Sequence, residues 1–240
     1  MIMFDPLFLI MIAPAALLAL WAHFKVKSSF AAASKMHASS NLTGAQAARH
    51  ILDSAGLRDV AIEMSQGGGL SDHYDPRGKV LRLSQEVHSQ TTLAAVGIAA
   101  HEAGHALQDA KGYGPLVIRN GLVPMAATGG QISSWCLMGG ILLAMFAGGG
   151  LQNPLAFNLV LLGVIAFGAT VVFQLVNLPV EFNASSRAKA QLVGLGIVAE
   201  SEMKPIKKVL SAAAMTYVAA TLMAMLQMLY WVLHLLAARD

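Results

Sequence analysis

Residues 154 to 177, PLAFNLVLLGVIAFGATVVFQLVN, contain no charged side chain, and a helix of that length crosses about 30 Å of hydrocarbon. No other feature constrains the chain as strongly, because backbone in lipid must satisfy its own hydrogen bonds and does so as a helix. Three further windows are apolar enough to do the same: 6 to 22 (PLFLIMIAPAALLALWA), 121 to 147 and 212 to 236. The first is short and carries Pro14. The second includes Pro124, Thr128, Gln131, Ser133 and Ser134, polar groups that suit a helix facing other helices. Apolar residues make up 56% and charged residues 12% of the 240, against about 25% charged in soluble domains. These features predict a mainly α membrane protein with about four transmembrane helices.

The charge order along the chain predicts its orientation. Asp5 stands before the first apolar run with no Lys or Arg, whereas Lys25, Lys27 and Lys35 follow it; this favours an uncleaved anchor over a secretory signal. Segment 23 to 120 holds ten of the 16 basic residues, segment 178 to 211 holds five, and the link 148 to 153 holds none. The positive-inside rule therefore puts both polar segments in the cytoplasm. The expected organisation is a transmembrane anchor at 1–24, a cytoplasmic α+β module at 25–120, a membrane hairpin at 121–177, a cytoplasmic helix at 178–211 and a last span at 212–240. The bilayer is thus one partner. Scattered Lys and Arg without interleaved aromatics exclude a nucleic-acid partner, while Lys204, Lys207 and Lys208 fit anionic headgroups. Cys136 is the only cysteine, so there is no internal disulfide and no thiolate metal site. Oligomeric state is not legible.

Residues 43 to 111 read as one compact unit. Thr43-Gly-Ala-Gln46 has the form of a capping box opening a helix that stops at Gly56. DVAIEM (59–64) and KVLRLS (79–84) alternate apolar and polar residues as half-buried strands do. Between them lie a glycine run at 67–69, an extended piece LSDHY and the turn Asp75-Pro-Arg-Gly78, predicting a strand followed by a hairpin. The glycine runs 67–69 and 148–150 are expected as turns, not phosphate loops. From about Thr91 a helix resumes, and its apolar core, LAAVGIAA, is too short to span.

That helix carries HEAGH at 101 to 105. His101 and His105, four apart, project from one face and can share one ion at about 2.1 Å. Glu102 is rotated about 100° from His101, where its carboxylate can take a proton from water. A third ligand is needed. The His-extended form of the motif would put histidine at 111, which is Lys111. Asp109 lies about 12 Å along the axis from His101, too far to share the ion, and is expected to orient a ligand instead.

After Asp109 no acid or histidine occurs until Glu181, and two crossings return the chain to the membrane face it left. Asn177 and Pro179 predict a helix start there, with Glu181 in its first turn and the small residues Ala184 and Ser185 one turn on. Glu200 and Glu202 are weaker candidates. For a developing oxyanion the available donors are His73, Tyr74, Tyr113 and Arg187, with Arg187 favoured. The strand around LSDHY offers an edge to which an extended substrate could add, making His73 and Tyr74 substrate contacts. His37, His50, His88 and His234 are assigned no role.

HEAGH followed by a membrane hairpin and EFNAS resembles the gluzincin pattern of HExxH with a downstream ExxA helix. DHYDPRGKVLRLS, LAAVGIAAHEAGHALQ, LPVEFNASSRA and SAAAMTYVAATL resemble, more closely, the YugP-like membrane zinc metallopeptidases. The resemblance implies a small zincin-like module in a bacterial plasma membrane, one zinc ion on His101, His105 and Glu181, Glu102 as general base, and hydrolysis of peptide bonds in a polypeptide substrate. Where better-known gluzincins carry Asp after ExxA, this chain has Ser185, which can accept a bond from a ligand histidine without adding charge. Two other classes compete. A metal transporter would need a second intramembrane cluster of ionisable residues, and a zinc-stabilised membrane scaffold would share the ligands without turnover.

Overall fold

The computed structural model describes residues 5–67, 71–147 and 149–239. The elements in chain order are α1 (Pro6–Ala33), α2 (Gly44–Ser54), β1 (Ala61–Met64), β2 (His73–Asp75), β3 (Val80–Leu83), α3 (Gln85–Ser89), α4 (Leu93–Ala110), α5 (Gly114–Phe146), α6 (Pro154–Gly194) and α7 (Met203–Ala237), with 3-10 turns at Gly150–Gln152 and Glu200–Glu202. The protein is mostly helical. Four of its helices, α1, α5, α6 and the one ending at Ala237, are long and apolar enough to cross a membrane. These helices run past the apolar stretches because hydropathy marks only the part suited to lipid.

One difference is specific. Asn177 and Pro179 do not start a helix: α6 runs unbroken through Pro179. Proline already holds the helical φ and removes a single N–H, a loss that long apolar helices tolerate. Of the two glycine runs, Gly68, Gly69 and Gly148 lie outside the described residues, as does Leu70 of the extended piece.

The chain divides into two compact units. The first comprises Met1–Trp21, Ile118–Leu178 and Tyr217–Asp240. Its core gathers Leu137, Val160, Val164, Tyr230, Trp231 and Leu235. Glycines let α5 and α6 approach closely: a Cβ on Gly129 would stand 2.8 Å from the Ala166 carbonyl oxygen, and one on Gly163 would stand 2.9 Å from Leu137 Cγ. Small residues serve this purpose where no hydrophobic effect drives helices together. The outward faces show Leu17, Trp135, Leu162 and Ile165, a surface suited to lipid. Asp5 Oδ2 accepts from the Tyr230 hydroxyl at 2.8 Å and lies 3.1 Å from His234 Nε2, so His234 has a structural partner.

The second unit comprises Ala22–Val117 and Pro179–Thr216. The Thr43–Gln46 capping box forms as the sequence predicts, and Gly56 closes α2 at φ +77°, a conformation glycine adopts without cost. The three strands make one sheet in the order β1-β3-β2, with β1 parallel and β2 antiparallel to β3. The hairpin joins Tyr74 to Leu81 in register. One face of α2 (Ile51, Leu52), the buried residues of β3 (Leu81, Leu83) and Leu93, Val96, Ala99 and Ala103 of α4 share a core with Leu192, Ile197, Met203 and Ile206. α4 is capped by the Thr92 side chain, which accepts from the Ala95 N–H. That core fixes α4, whose remaining face carries the candidate site.

Candidate metal centre

His101 and His105 stand one turn apart on α4 with their ring centroids 4.9 Å apart. Val180, Ala184, Ala188 and Leu192, at four-residue spacing on α6, are all fully buried. That stripe brings α6 against α4 and places Glu181, beside Val180, over the two imidazoles. Approach is closest at Gly104, where a Cβ would come within 2.6 Å of the Ala184 carbonyl oxygen; only glycine leaves room there.

One ligand atom each from His101, His105 and Glu181 lie within 4.8 Å of one another, the one such triad among the described residues. Glu181 Oε2 is 3.3 Å from His101 Nε2 and 3.7 Å from His105 Nε2. Donors about 2.0–2.1 Å from a tetrahedral zinc stand roughly 3.3 Å from each other, so two imidazole nitrogens and a carboxylate at these separations suit that ion. The far ring nitrogens have partners of their own. Ser185 Oγ lies 3.1 Å from His101 Nδ1, and Gln108 Oε1 lies 3.0 Å from His105 Nδ1, leaving both Nε2 atoms facing Glu181.

Glu102 is 8% exposed. Its Oε2 accepts from the Tyr74 backbone N–H at 3.1 Å, and burial, partly offset by His101 and reinforced by Glu181, pushes its carboxyl up to about 7. A carboxylate so tuned can exchange a proton near neutrality.

The other expected residues have partners outside the triad. Asp109 does not orient a histidine: it accepts from the Tyr74 hydroxyl at 2.7 Å and from Lys79 Nζ. The β2–β3 hairpin presents two donors that capture it, and Gln108, one residue earlier, takes the place beside His105. Burial and this bond hold the Tyr74 phenol well above its usual range. His73 is exposed, its Nδ1 2.9 Å from the Ser71 carbonyl. Arg187 donates through Nε to Asn183 Oδ1 at 2.7 Å and lies over the Tyr113 ring at 5.8 Å. Glu202 accepts from the backbone N–H and hydroxyl of Ser39, outside the triad. Gln108 and Asn183 escaped the sequence reading. A signal existed for the first, since Gln108 lies three residues after His105 and seven after His101, on their face of the helix.

The chain belongs to the family described as "Putative neutral zinc metallopeptidase", which it matches over residues 8–236. It is similar to the protein named "Putative membrane protease YugP" of Bacillus subtilis (strain 168), with 45% identity over 234 residues covering 98% of this chain and 99% of that relative. No solved structure matches it.

Proposed function

We propose that the protein is a membrane-embedded, zinc-dependent endopeptidase acting on membrane or juxtamembrane polypeptides, with its site on the cytoplasmic face. The observation that carries this reading is the convergence of His101, His105 and Glu181 beside a buried carboxyl, Glu102, raised to about 7. A single zinc ion held by the triad would supply Lewis acidity that activates water and polarises a carbonyl.

The protein's own groups account for the proton. Glu102, steadied at Oε2 by the Tyr74 N–H, takes a proton from water as the water oxygen adds to the scissile carbonyl carbon. It returns that proton to the amide nitrogen as the C–N bond breaks, giving a carboxylic acid and an amine. Tyr74 thereby links the strand to the base, and the exposed β2 residue His73 offers a contact for an extended substrate. Arg187 is the donor proposed for the developing oxyanion. Membrane polypeptides are favoured as substrates because the chain carries four apolar helices of its own, and the distribution of basic residues favours the cytoplasmic face.

The test is hydrolysis of an unfolded polypeptide by the purified full chain in detergent or liposomes, beside a Glu102→Gln variant. Loss of cleavage with zinc retained supports the enzyme. Equal inactivity of both proteins with zinc bound would favour a scaffold.

A further inference from the structure

Gln108 has no exposed surface, yet its side-chain amide makes three hydrogen bonds. Nε2 donates to the Val180 carbonyl oxygen at 2.8 Å and to Asn183 Oδ1 at 3.0 Å, and Oε1 faces His105 Nδ1 at 3.0 Å. An amide can be turned over, so its direction must be set by neighbours that cannot. Two such neighbours are present. The Val180 carbonyl only accepts. Arg187 only donates, and its Nε donates to Asn183 Oδ1, which makes that atom an oxygen and therefore an acceptor toward Gln108.

Both neighbours demand the NH2 group of Gln108 on their side, which turns Oε1 toward His105. An oxygen there can only accept, so in the neutral imidazole His105 Nδ1 carries the proton and Nε2 presents its lone pair. His101 is held differently, because the Ser185 hydroxyl at its Nδ1 can donate or accept.

We infer that Gln108 is a positioning residue: with Asn183 and Arg187 it forms a hydrogen-bond chain, its donors converging on Asn183 Oδ1, that locks His105 as the Nδ1–H tautomer and ties it to the turn of α6 bearing Glu181. The hydrogen-bond chain presents one ligand nitrogen ready for the ion and fixes the distance between two ligands on separate helices. Arg187 sets the polarity through two amides without touching His105. This inference rests on the zinc reading for its purpose, but not for its geometry.

The test uses the full chain in detergent, labelled with 15N-histidine, metal-free and at a pH where imidazole is neutral. The His105 signals should show a pyrrole-type Nδ1 and a pyridine-type Nε2, a single tautomer. In Gln108→Met, which keeps the volume and removes every bond, the two tautomers should mix, and zinc affinity measured by chelator competition should fall about 10–100-fold. Gln108→Glu keeps an acceptor for His105 and should retain the Nδ1–H form, so it serves if the Met variant does not fold. A pyridine-type Nδ1 in the unaltered chain would overturn the inference, as would a Met variant with one tautomer and zinc affinity within twofold of the unaltered chain. Should the unaltered chain bind no zinc, the metal reading fails, while the tautomer still decides the inference.

Discussion

Gly104 of α4 meets Ala184 of α6 backbone to backbone: a Cβ at position 104 would stand 2.6 Å from the Ala184 carbonyl oxygen and 3.2 Å from its carbonyl carbon. The obstacle is main chain, which no rotamer change can move aside. The glycine of HEAGH is thus what allows the helix bearing His101 and His105 to lie close to the helix bearing Glu181.

Gly104→Ala should therefore force the two helices apart. Overpacking of this kind costs about 1–3 kcal/mol, and zinc affinity should fall together with stability. Chemical unfolding and chelator competition on the same preparation check both. Unchanged affinity would show that ligand spacing does not depend on this contact.

Glu102 makes a prediction about stability as well as turnover. Its folded carboxyl lies at about 7, above the ordinary 4.5, with burial the largest cause, so the folded chain binds the proton more tightly than the unfolded one. For the metal-free protein that contribution is fully present below about pH 4.5 and is lost as pH rises through about 7. Glu102→Gln should remove this dependence and make the metal-free protein more stable at pH 8 than the unaltered chain. Its hydrolytic rate should drop about 10²–10⁴-fold. Unfolding midpoints across pH, paired with a peptide-cleavage assay, measure the two effects.

Ser185 touches His101 through a hydroxyl 3.1 Å from Nδ1, and that hydroxyl can rotate. Ser185→Ala leaves His101 Nδ1 without its partner and should weaken zinc binding about 10-fold, within the range for residues that orient a metal ligand. Ser185→Asp supplies a fixed charged acceptor and should match or exceed the affinity of the unaltered chain. Competition titrations of the three proteins at one pH settle the order.

What was legible in the sequence follows from which forces act locally. The four apolar helices and the Thr43 capping box were readable because lipid solvation and helix capping depend on neighbours in sequence. The meeting of His101 with His105 was readable from four-residue helical spacing, and that of Glu181 with both from the two crossings that return the chain to one membrane face and from the resemblance to the HExxH and ExxA pattern. The continuity of α6 through Pro179 was not, because a proline that suits a helix start also fits a helix interior when only one bond is lost. The partners of Asp109 were not legible for a tertiary reason: Tyr74 and Lys79 reach it from a hairpin whose docking on α4 the local sequence does not specify. Gln108 and Asn183 gain their partners only when α4 and α6 pack.

The most direct measurement is an anomalous difference map at the zinc absorption edge from crystals of the full chain grown with zinc. The account predicts one strong peak within bonding distance of His101 Nε2, His105 Nε2 and a carboxylate oxygen of Glu181. A map with no peak there, or a peak whose third protein ligand is a residue other than Glu181, would contradict it.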